Sequence, residues 1–479
     1  MGNQHKFDTK VQVIKYKVLR TVAEYAWEGT LLENVMEIPQ KIMPGKTPTM
    51  RCCVYKERAI IQERLKLAVG GNRYDKKVIQ VIDIACDDCP AGGYVVTSSC
   101  RGCLAHRCAE ACRVGAITFG EDQKAQIDKS KCVECGMCYK SCQFGAISNY
   151  KRPCEMTCKV GAISMGEGKE AQINYDKCIS CGACVYMCPF GAITDRSYIL
   201  DVIEFIKNKE SAGYKVNALI APSIASQFNY ASLGQIMTAI KDIGFDNIYE
   251  VALGADMVAE SEAEELAEKK FLTSSCCPAF VAYIEKNFPS LKDKISHNLS
   301  PAGTLGKFLK EKDPDCKNVF IGPCTAKKAE FQRKEYTGYI DSVITFEELQ
   351  ALIDSKKINV PELEETKVDD ASYFGRIFAR SGGVSEAVKQ AFQEKGIDFE
   401  CNPVLCSGIS ECKKALTLAD KGLLPNNFIE GMACVDGCIG GAGNLNHDQK
   451  SRAQIDNYGK SAEYKDINSA IQKAQNIDD

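Results

Sequence analysis

Phe271-Leu272-Thr273-Ser274-Ser275-Cys276-Cys277-Pro278-Ala279-Phe280 decides how the second half of this chain reads. Two later stretches accompany it: Gly322-Pro323-Cys324-Thr325-Ala326-Lys327-Lys328-Ala329-Glu330, and the run from Glu430 through Cys434 and Cys438 to Gly443. Together they supply Cys277, Cys324, Cys434 and Cys438, each on a Gly/Pro/Ser-rich turn. The first two turns follow apolar runs, Phe271-Leu272 and Val319-Phe320-Ile321, that read as strands. Four thiolates gathered from separate turns are what a cubane iron–sulfur cluster requires. Cys276 is then left over beside a ligand, and a thiol with a reference pKa near 8.5 can give and take protons there.

Around these stretches the pattern is mixed α/β. Val216-Asn217-Ala218-Leu219-Ile220 reads as a strand, as does Asn247 to Leu253, and helical patterns follow each. The cysteines therefore sit where strands give way to turns, the place α/β sheets use for active sites. We take 196–446 as an α/β domain and 447–479 as a polar tail whose last helix is expected to pack only on the surface.

Upstream, residues 86–195 form a tandem repeat. Four cysteines, Cys112, Cys142, Cys158 and Cys188, are each followed, after two intervening residues, by Gly-Ala-Ile. An offset of 46 residues maps Cys108 to Cys154, Cys112 to Cys158, and Cys132, Cys135, Cys138 and Cys142 to Cys178, Cys181, Cys184 and Cys188. Each unit resembles a bacterial two-cluster ferredoxin, in which three cysteines of one run hold one [4Fe-4S] cluster and the fourth serves the other. That resemblance implies three ligand sets: Cys132, Cys135 and Cys138 with Cys112; Cys178, Cys181 and Cys184 with Cys158; Cys100, Cys103 and Cys108 with Cys142. The second unit has Ala146 and Asn149 where the first has Cys100 and Cys103. Cys154 and Cys188 are thus half of a fourth site, for which Cys86 and Cys89 are the candidate complement. A tetrahedral zinc site using Cys86 and Cys89 is the alternative.

Residues 1–85 carry helical periodicity, with an amphipathic helix expected over Val11 to Met43 and a second over Glu57 to Val69, ending at Gly70-Gly71. Cys52-Cys53, between them, reads as buried or free thiols. The chain has 479 residues, enough for two to four domains. Its formal charge of −3 suggests neither nucleic acid nor an anionic membrane as partner. No apolar run reaches the roughly 18 residues of a membrane span. The polar N-terminus shows no export signal, so a cytoplasmic location is expected. The 27 cysteines in C-x2-C runs then read as cluster ligands in a reducing compartment rather than disulfides.

The three C-terminal stretches resemble the signature motifs of the [FeFe]-hydrogenases, written TSCCP, PCTxKKxE and ExMxCxGGCxxGG, over about Leu219 to Asn446. The resemblance implies an H-cluster: a cubane on Cys277, Cys324, Cys434 and Cys438, bridged, by analogy through Cys438, to a diiron unit with CO, cyanide and an azadithiolate. It implies a two-lobed α/β catalytic domain over 196–446, reversible interconversion of protons and electrons with H2, and Cys276 as the last proton donor. By analogy the proton route runs Cys276, Glu265, Ser300, Glu262, then solvent; i,i+3 spacing puts the two glutamates on one helix face. Lys327 matches the lysine that holds a cyanide ligand, Ala221, Pro222 and Ser223 line the diiron pocket, and Met432 is the pocket methionine. Ferredoxin or a similar soluble carrier, and hydrogenase maturation proteins, are the implied partners.

Three departures alter the pocket: Gly322 replaces the methionine usual before Pro-Cys, Phe280 the usual Trp, and Asp436 stands where Gly is common. They point to a divergent, group B-like branch. Cys401, Cys406 and Cys412 match no catalytic motif and read as buried thiols, and His106 as a bystander. Two rivals remain at this point: an H2 sensor of low turnover, and a non-catalytic iron–sulfur assembly protein of the Nar1 type.

Overall fold

The computed structural model describes residues 7–72, 74–86, 89 and 92–476, so residues 1–6 of the N-terminus, read above for export, lie outside the described residues. The first helix, α1 (Lys10–Glu28), starts with a reciprocal cap in which Thr9 and Gln12 each accept the other's backbone amide. It ends at Gly29, whose left-handed φ of 76° closes the last turn. The helix expected to reach Met43 is therefore broken, and Leu31–Asn34 and Ile38–Ile42 are separate short helices. The second helix is α2 (Val54–Ala68).

Strands β1 (Ile79–Val81) and β2 (Gly93–Val96) lead into the cysteine-rich region, and each finds an antiparallel partner far along the chain. β2 pairs with β3 (Ile147–Tyr150), and β1 with β4 (Ile193–Asp195). Between them the repeat is visible in the backbone. The hairpin Ile117–Phe119/Ala125–Ile127 recurs as Ile163–Met165/Ala171–Ile173, and the helix Met137–Ser141 as Ala183–Met187. Glu134 and Ser180, equivalent under the offset, hold φ of 54° and 55°. That left-handed conformation is uncommon outside glycine and turns backbone amides into a concave nest.

The C-terminal half carries, in order, β5 (Val216–Ile220), β6 (Asn247–Glu250), α3 (Val251–Lys269), β7 (Leu272–Thr273), α4 (Pro278–Asn287), β8 (Lys317–Gly322), α5 (Thr325–Glu330), β9 (Ser342–Thr345), α6 (Phe346–Ser355), β10 (Pro403–Ser407), α7 (Ile409–Asp420) and β11 (Phe428–Met432). They form two parallel sheets, ordered β6-β5-β8-β9 and β7-β11-β10. This is the two-lobed α/β architecture expected. β6 is shorter than the strand read to Leu253, because Glu250 is the extended cap of α3 and Val251 already begins the helix.

The N-terminal helices are not a free-standing segment. Val18, Leu19 and Val22 of α1 join one apolar core with β5, β8 and α6. A buried ionic knot secures the junction: Lys15 Nζ lies 2.5 Å from both Asp195 and Glu347, and Lys328 Nζ lies 2.8 Å from Asp195 and 2.7 Å from Glu348. The C-terminal tail also differs from expectation. Its helices α8 (Ser451–Lys460) and α9 (Ile467–Gln475) bury Ile455, Ile467 and Ala470 completely, and α9 closes over α3. Among the described residues no helix is long and apolar enough to cross a membrane.

Candidate catalytic centre and iron–sulfur ligand sets

The signature cysteines occupy equivalent places: Cys276-Cys277 just beyond β7, Cys324 beyond β8 and Cys434 beyond β11, all at the C-terminal ends of parallel strands. Cys277 and Cys324 are the extended residues that open α4 and α5. A cavity of about 90 Å³ is lined by Cys276, Cys277, Cys324, Cys434 and Cys438. The same walls include Lys327, Ala221, Pro222, Ser223 and Met432. Every residue assigned to the diiron pocket from sequence is thus brought to one cavity.

Burial pushes all four ligand thiols up, Cys438 to about 12, and their neighbours push them further: Cys277 acts on Cys324, Cys434 and Cys438. Four desolvated thiols crowding one another make a poor apolar core and a good donor set for a cationic cluster, so the residues present fit a cubane. Among the described residues no three His, Cys, Asp or Glu side chains group tightly enough for a single metal ion; a cubane instead takes one thiolate at each corner iron.

The departures have local explanations. Gly322 carries no side chain where a Cβ would lie 2.6 Å from the Phe320 ring, and Phe320 itself lines the cavity. Asp436 takes a φ of 63°, the conformation for which Gly is ordinarily used. Phe280 is fully buried.

The proton route needs correction. Glu262, not Glu265, is the carboxyl beside Cys276: burial raises the Cys276 thiol well above its ordinary value, and Glu262 is the foremost charge adding to this. Glu262 is fully buried, accepts the Ser275 amide at 3.2 Å, and leaves its second oxygen without a partner. Burial raises its pKa to about 8. The hydroxyl between the glutamates is Ser296, which contacts Glu262 and donates to Glu265 at 3.0 Å. Glu265 stands further out, held by the His297 amide at 3.1 Å and by Lys269 at 2.6 Å. Ser300 does not bridge them. It caps the helix Pro301–Lys312 and donates to Glu330 at 3.0 Å, and Glu330 in turn holds the Lys327 ammonium at 2.7 Å. Ser296, Glu330 and Tyr336, whose hydroxyl accepts the Ser300 amide, were not singled out from sequence. Two serines four residues apart cannot be told apart by pattern; the bridge Thr273↔Ile295 is what brings Ser296 to the glutamates.

The N-terminal ligand sets also converge. Cys108 neighbours Cys103 and Cys142; Cys138 neighbours Cys112 and Cys132; Cys184 neighbours Cys158, Cys178 and Cys181. Cys100 shares the apolar cluster of Cys108, Cys112, Cys138 and Cys142, and Cys135 is exposed. The fourth set gathers as well: Cys154 neighbours Cys86 and Cys188, and Cys89 neighbours the same two. In every Cys-x-x-Gly-Ala copy the alanine amide donates to the cysteine sulfur, at 3.3–3.4 Å from Cys112, Cys142, Cys158 and Cys188. Such bonds tune a cluster's potential. The second unit abuts the C-terminal lobe: Cys181 lines the four-cysteine cavity, Thr325 donates to the Ser180 carbonyl at 2.8 Å, and a Cβ at Gly182 would meet Thr325 at 2.4 Å.

The remaining cysteines and His106 lie outside these ligand sets. Cys52 is exposed with Cys53 half-buried, Cys406 and Cys412 are buried, Cys401 is half-buried, and His106 stacks on Phe119.

Residues 214–442 match the family described as iron only hydrogenase large subunit, C-terminal domain, and residues 125–148 and 171–194 match the 4Fe-4S binding domain. Iron hydrogenase 1 of Clostridium pasteurianum is 30% identical over 308 residues, covering 52% of this chain and 54% of that protein. The chain thus spans about half the length of this curated relative. The cytosolic Fe-S cluster assembly factor NAR1 of Kluyveromyces lactis is 32% identical over 155 residues, 32% of this chain and 27% of that protein. A solved structure of HydA(deltaEFG), described in connection with stepwise [FeFe]-hydrogenase H-cluster assembly, aligns with a TM-score of 0.48 at 20% identity, covering 59% of this chain and 94% of that one. The two family matches, with the cysteine constellation and the repeated ferredoxin-like unit, show an [FeFe]-hydrogenase-like chain with 4Fe-4S-binding segments.

Proposed function

We propose that this chain reversibly interconverts protons and electrons with H2 at an H-cluster, with electrons relayed through its N-terminal [4Fe-4S] clusters to or from a ferredoxin-type carrier. The observation that supports this reading most is the single cavity where Cys276, Lys327, Ala221, Pro222, Ser223 and Met432 surround the four-cysteine set. Cys277, Cys324, Cys434 and Cys438 would hold the cubane, and the diiron unit would fill the cavity and supply the H2 chemistry. We further propose a cytoplasmic protein whose diiron unit is installed by maturation proteins.

The chain's own residues then have definable tasks. The Lys327 ammonium, fixed by Glu330 and about 6.0 Å from the Phe320 ring centre, sets positive charge against an anionic ligand in a dry site. Cys276 Sγ keeps its proton because burial and Glu262 both disfavour the thiolate. Glu262, with a pKa of about 8, can hold or release a proton near neutral pH, as a relay requires. Ser296 Oγ carries the proton between the two carboxyls, and Glu265 meets solvent beside exposed His297. Ser300 anchors Glu330 and, through it, Lys327.

The match to NAR1 favours a second reading, a non-catalytic assembly protein. The test is H2 evolution from reduced viologen by protein matured with the diiron cofactor, beside Cys276→Ala, with infrared spectra of both. Fast turnover lost in the variant, with CO and cyanide bands retained, supports the enzyme. Bands with feeble turnover favour a sensor, and no bands after competent maturation would leave an assembly or relay protein.

A further inference from the structure

Three arginines converge on the set of Cys86, Cys89, Cys154 and Cys188. Arg152 is only 1% exposed and brings Nη1 to 3.9 Å from Cys86 Sγ. Arg51, just before α2, spans the two ligand loops: it donates to the Ala85 carbonyl at 2.9 Å and to the Phe190 carbonyl at 3.3 Å. Its guanidinium lies 4.9 Å from the Phe190 ring centre, and with Arg152 it supplies positive charge to Cys89. Arg64 of α2 is 4% exposed, donates to the Gly191 carbonyl at 2.5 Å, and has Cys188 as the foremost of its charged neighbours. Its Nε is buried without a hydrogen-bond partner, and buried donors are rarely left so. Backbone amides reach the same sulfurs, Ala171 to Cys86 and Ala192 to Cys188, each at 3.3 Å.

These surroundings bear on what the set holds and on how readily it accepts an electron. Cys86, Cys154 and Cys188 share one apolar cluster. Among the described residues no three His, Cys, Asp or Glu side chains group tightly enough for a single ion, so the donors suit the wider cubane better than tetrahedral zinc. Reduction adds negative charge to an already anionic core, and positive charge and hydrogen bonds at the sulfurs favour the reduced state. The neighbouring set in the same unit, Cys158, Cys178, Cys181 and Cys184, is desolvated too, so burial alone does not separate the two. Lys286 acts on that neighbour, donating to the Cys178 carbonyl at 2.7 Å, but it is exposed. A charge in water acts several-fold more weakly than one inside the protein. Acids offset the arginines only in part. Asp83 is exposed and Glu155 half-buried, while Asp195 and Glu347 near Arg64 are already held by Lys15.

We propose that Cys86, Cys89, Cys154 and Cys188 hold a fourth [4Fe-4S] cluster, and that Arg51, Arg64 and Arg152 set its potential above that of its neighbour in the same unit. It is then the place where an electron rests. The cluster takes one electron from its reduced neighbour, which is oxidised in return, and no proton or bond changes place. Cys184 lies beside Cys154, so the held electron sits next to the set that borders the four-cysteine cavity. An electron kept there serves any chemistry that consumes electrons in pairs. This role rests on the relay reading above and needs no H2 turnover.

The iron-loaded full chain, without diiron cofactor, would be analysed for iron, sulfide and zinc, then titrated anaerobically with dithionite and viologen mediators under electron spin resonance. Cys154→Ala should lower the iron content by one cluster and remove the fourth cluster's signal. Cys89→Ala, at a half-buried position, should do the same and serves should the buried variant fail to fold. Cys178→Ala identifies the neighbour's signal, which in the parent should appear at lower potential than the fourth cluster's. Arg51→Met with Arg64→Met should keep the iron yet lower the fourth cluster's reduction constant about tenfold, which is about 59 mV for one electron. Arg51→Lys with Arg64→Lys, keeping the charge, should stay near the parent. Unchanged iron in the Cys89 and Cys154 variants, zinc lost from them in place of iron, a fourth-cluster signal that appears after its neighbour's, or an iron-replete methionine variant that titrates like the parent would each overturn the proposal.

Discussion

The two copies of the 46-residue unit share their ligand spacing, hairpins and even their left-handed loop residues, yet they live in different surroundings. The first is peripheral: Cys135 is exposed, and Leu104, Val133 and Phe144 stand largely in solvent. The second is wedged between the N-terminal helices and the catalytic lobe. There burial pushes the Cys181 and Cys154 thiols to about 11 and Cys184 well above its ordinary value. The same local code therefore yields an exposed outer unit and an inner one built into the core. The inner copy's missing ligands fit this account. Its Ala146 and Asn149 positions are occupied by the edge of β3, committed to pairing with β2, and Cys86 and Cys89 gather with Cys154 and Cys188 instead.

The contrast can be broken most decisively by substituting equivalent ligands. Cys181→Ser should cost at least about 3 kcal/mol of stability and sharply lower soluble yield, because a structural metal is folding free energy. Cys135→Ser, exposed, should cost under about 1 kcal/mol; denaturant unfolding and iron analysis of both variants would show whether burial or sequence position decides.

The same difference in burial separates two carboxyls three residues apart. Glu262→Gln should lower turnover roughly a hundredfold or more, and Glu265→Gln by a smaller factor. The buried carboxyl also leaves a pH signature. Native Glu262 keeps its proton to about pH 8, whereas the unfolded chain releases it near 4.5. Between these values the native state binds the extra proton, so its stability falls as pH rises through that window and levels off above. The stability of Glu262→Gln relative to the parent should climb over the same interval in denaturant melts at fixed pH.

A smaller effect is expected at Arg152, fully buried with a nitrogen 3.9 Å from Cys86 Sγ and another on the Lys169 carbonyl. Arg152→Met should cost about 1.5–3 kcal/mol and weaken the fourth cluster selectively, read as a loss of spin intensity in the reduced protein. The least effect of all should come from Ala146→Cys with Asn149→Cys, which restores the lost spacing inside a paired strand. Iron content should stay unchanged, and an added cluster would show that spacing outweighs the strand.

Much of this was legible because cysteine spacing is a discrete signal: the offset alone paired Cys108 with Cys154 and located the gap filled by Cys86 and Cys89. Strand ends were likewise readable from apolar runs before glycine and proline. What sequence could not carry was direction within a relay. Glu262 and Glu265 share a helix face, and only the turn beyond β7, folding the Ser275 amide onto Glu262, shows which one faces inward. Nor could periodicity show that Ile455 and Ile467 of a polar tail are buried, since Ile455 clusters with Ala379 and Ile439, and Ile467 with Ala259, Phe378 and Val388, on other elements of the lobe.

The knot of Lys15, Asp195, Lys328, Glu347 and Glu348 has a consequence for synthesis. Helix α1 leaves the ribosome well before α6: the acid that neutralises Lys15 from α6 lies 332 residues later. At roughly 5–20 residues per second, that interval is some tens of seconds. Throughout it, α1 exposes Val18, Leu19 and Val22 and the half-made knot lacks its second acid. The knot therefore closes only after the cysteine-rich loops have emerged.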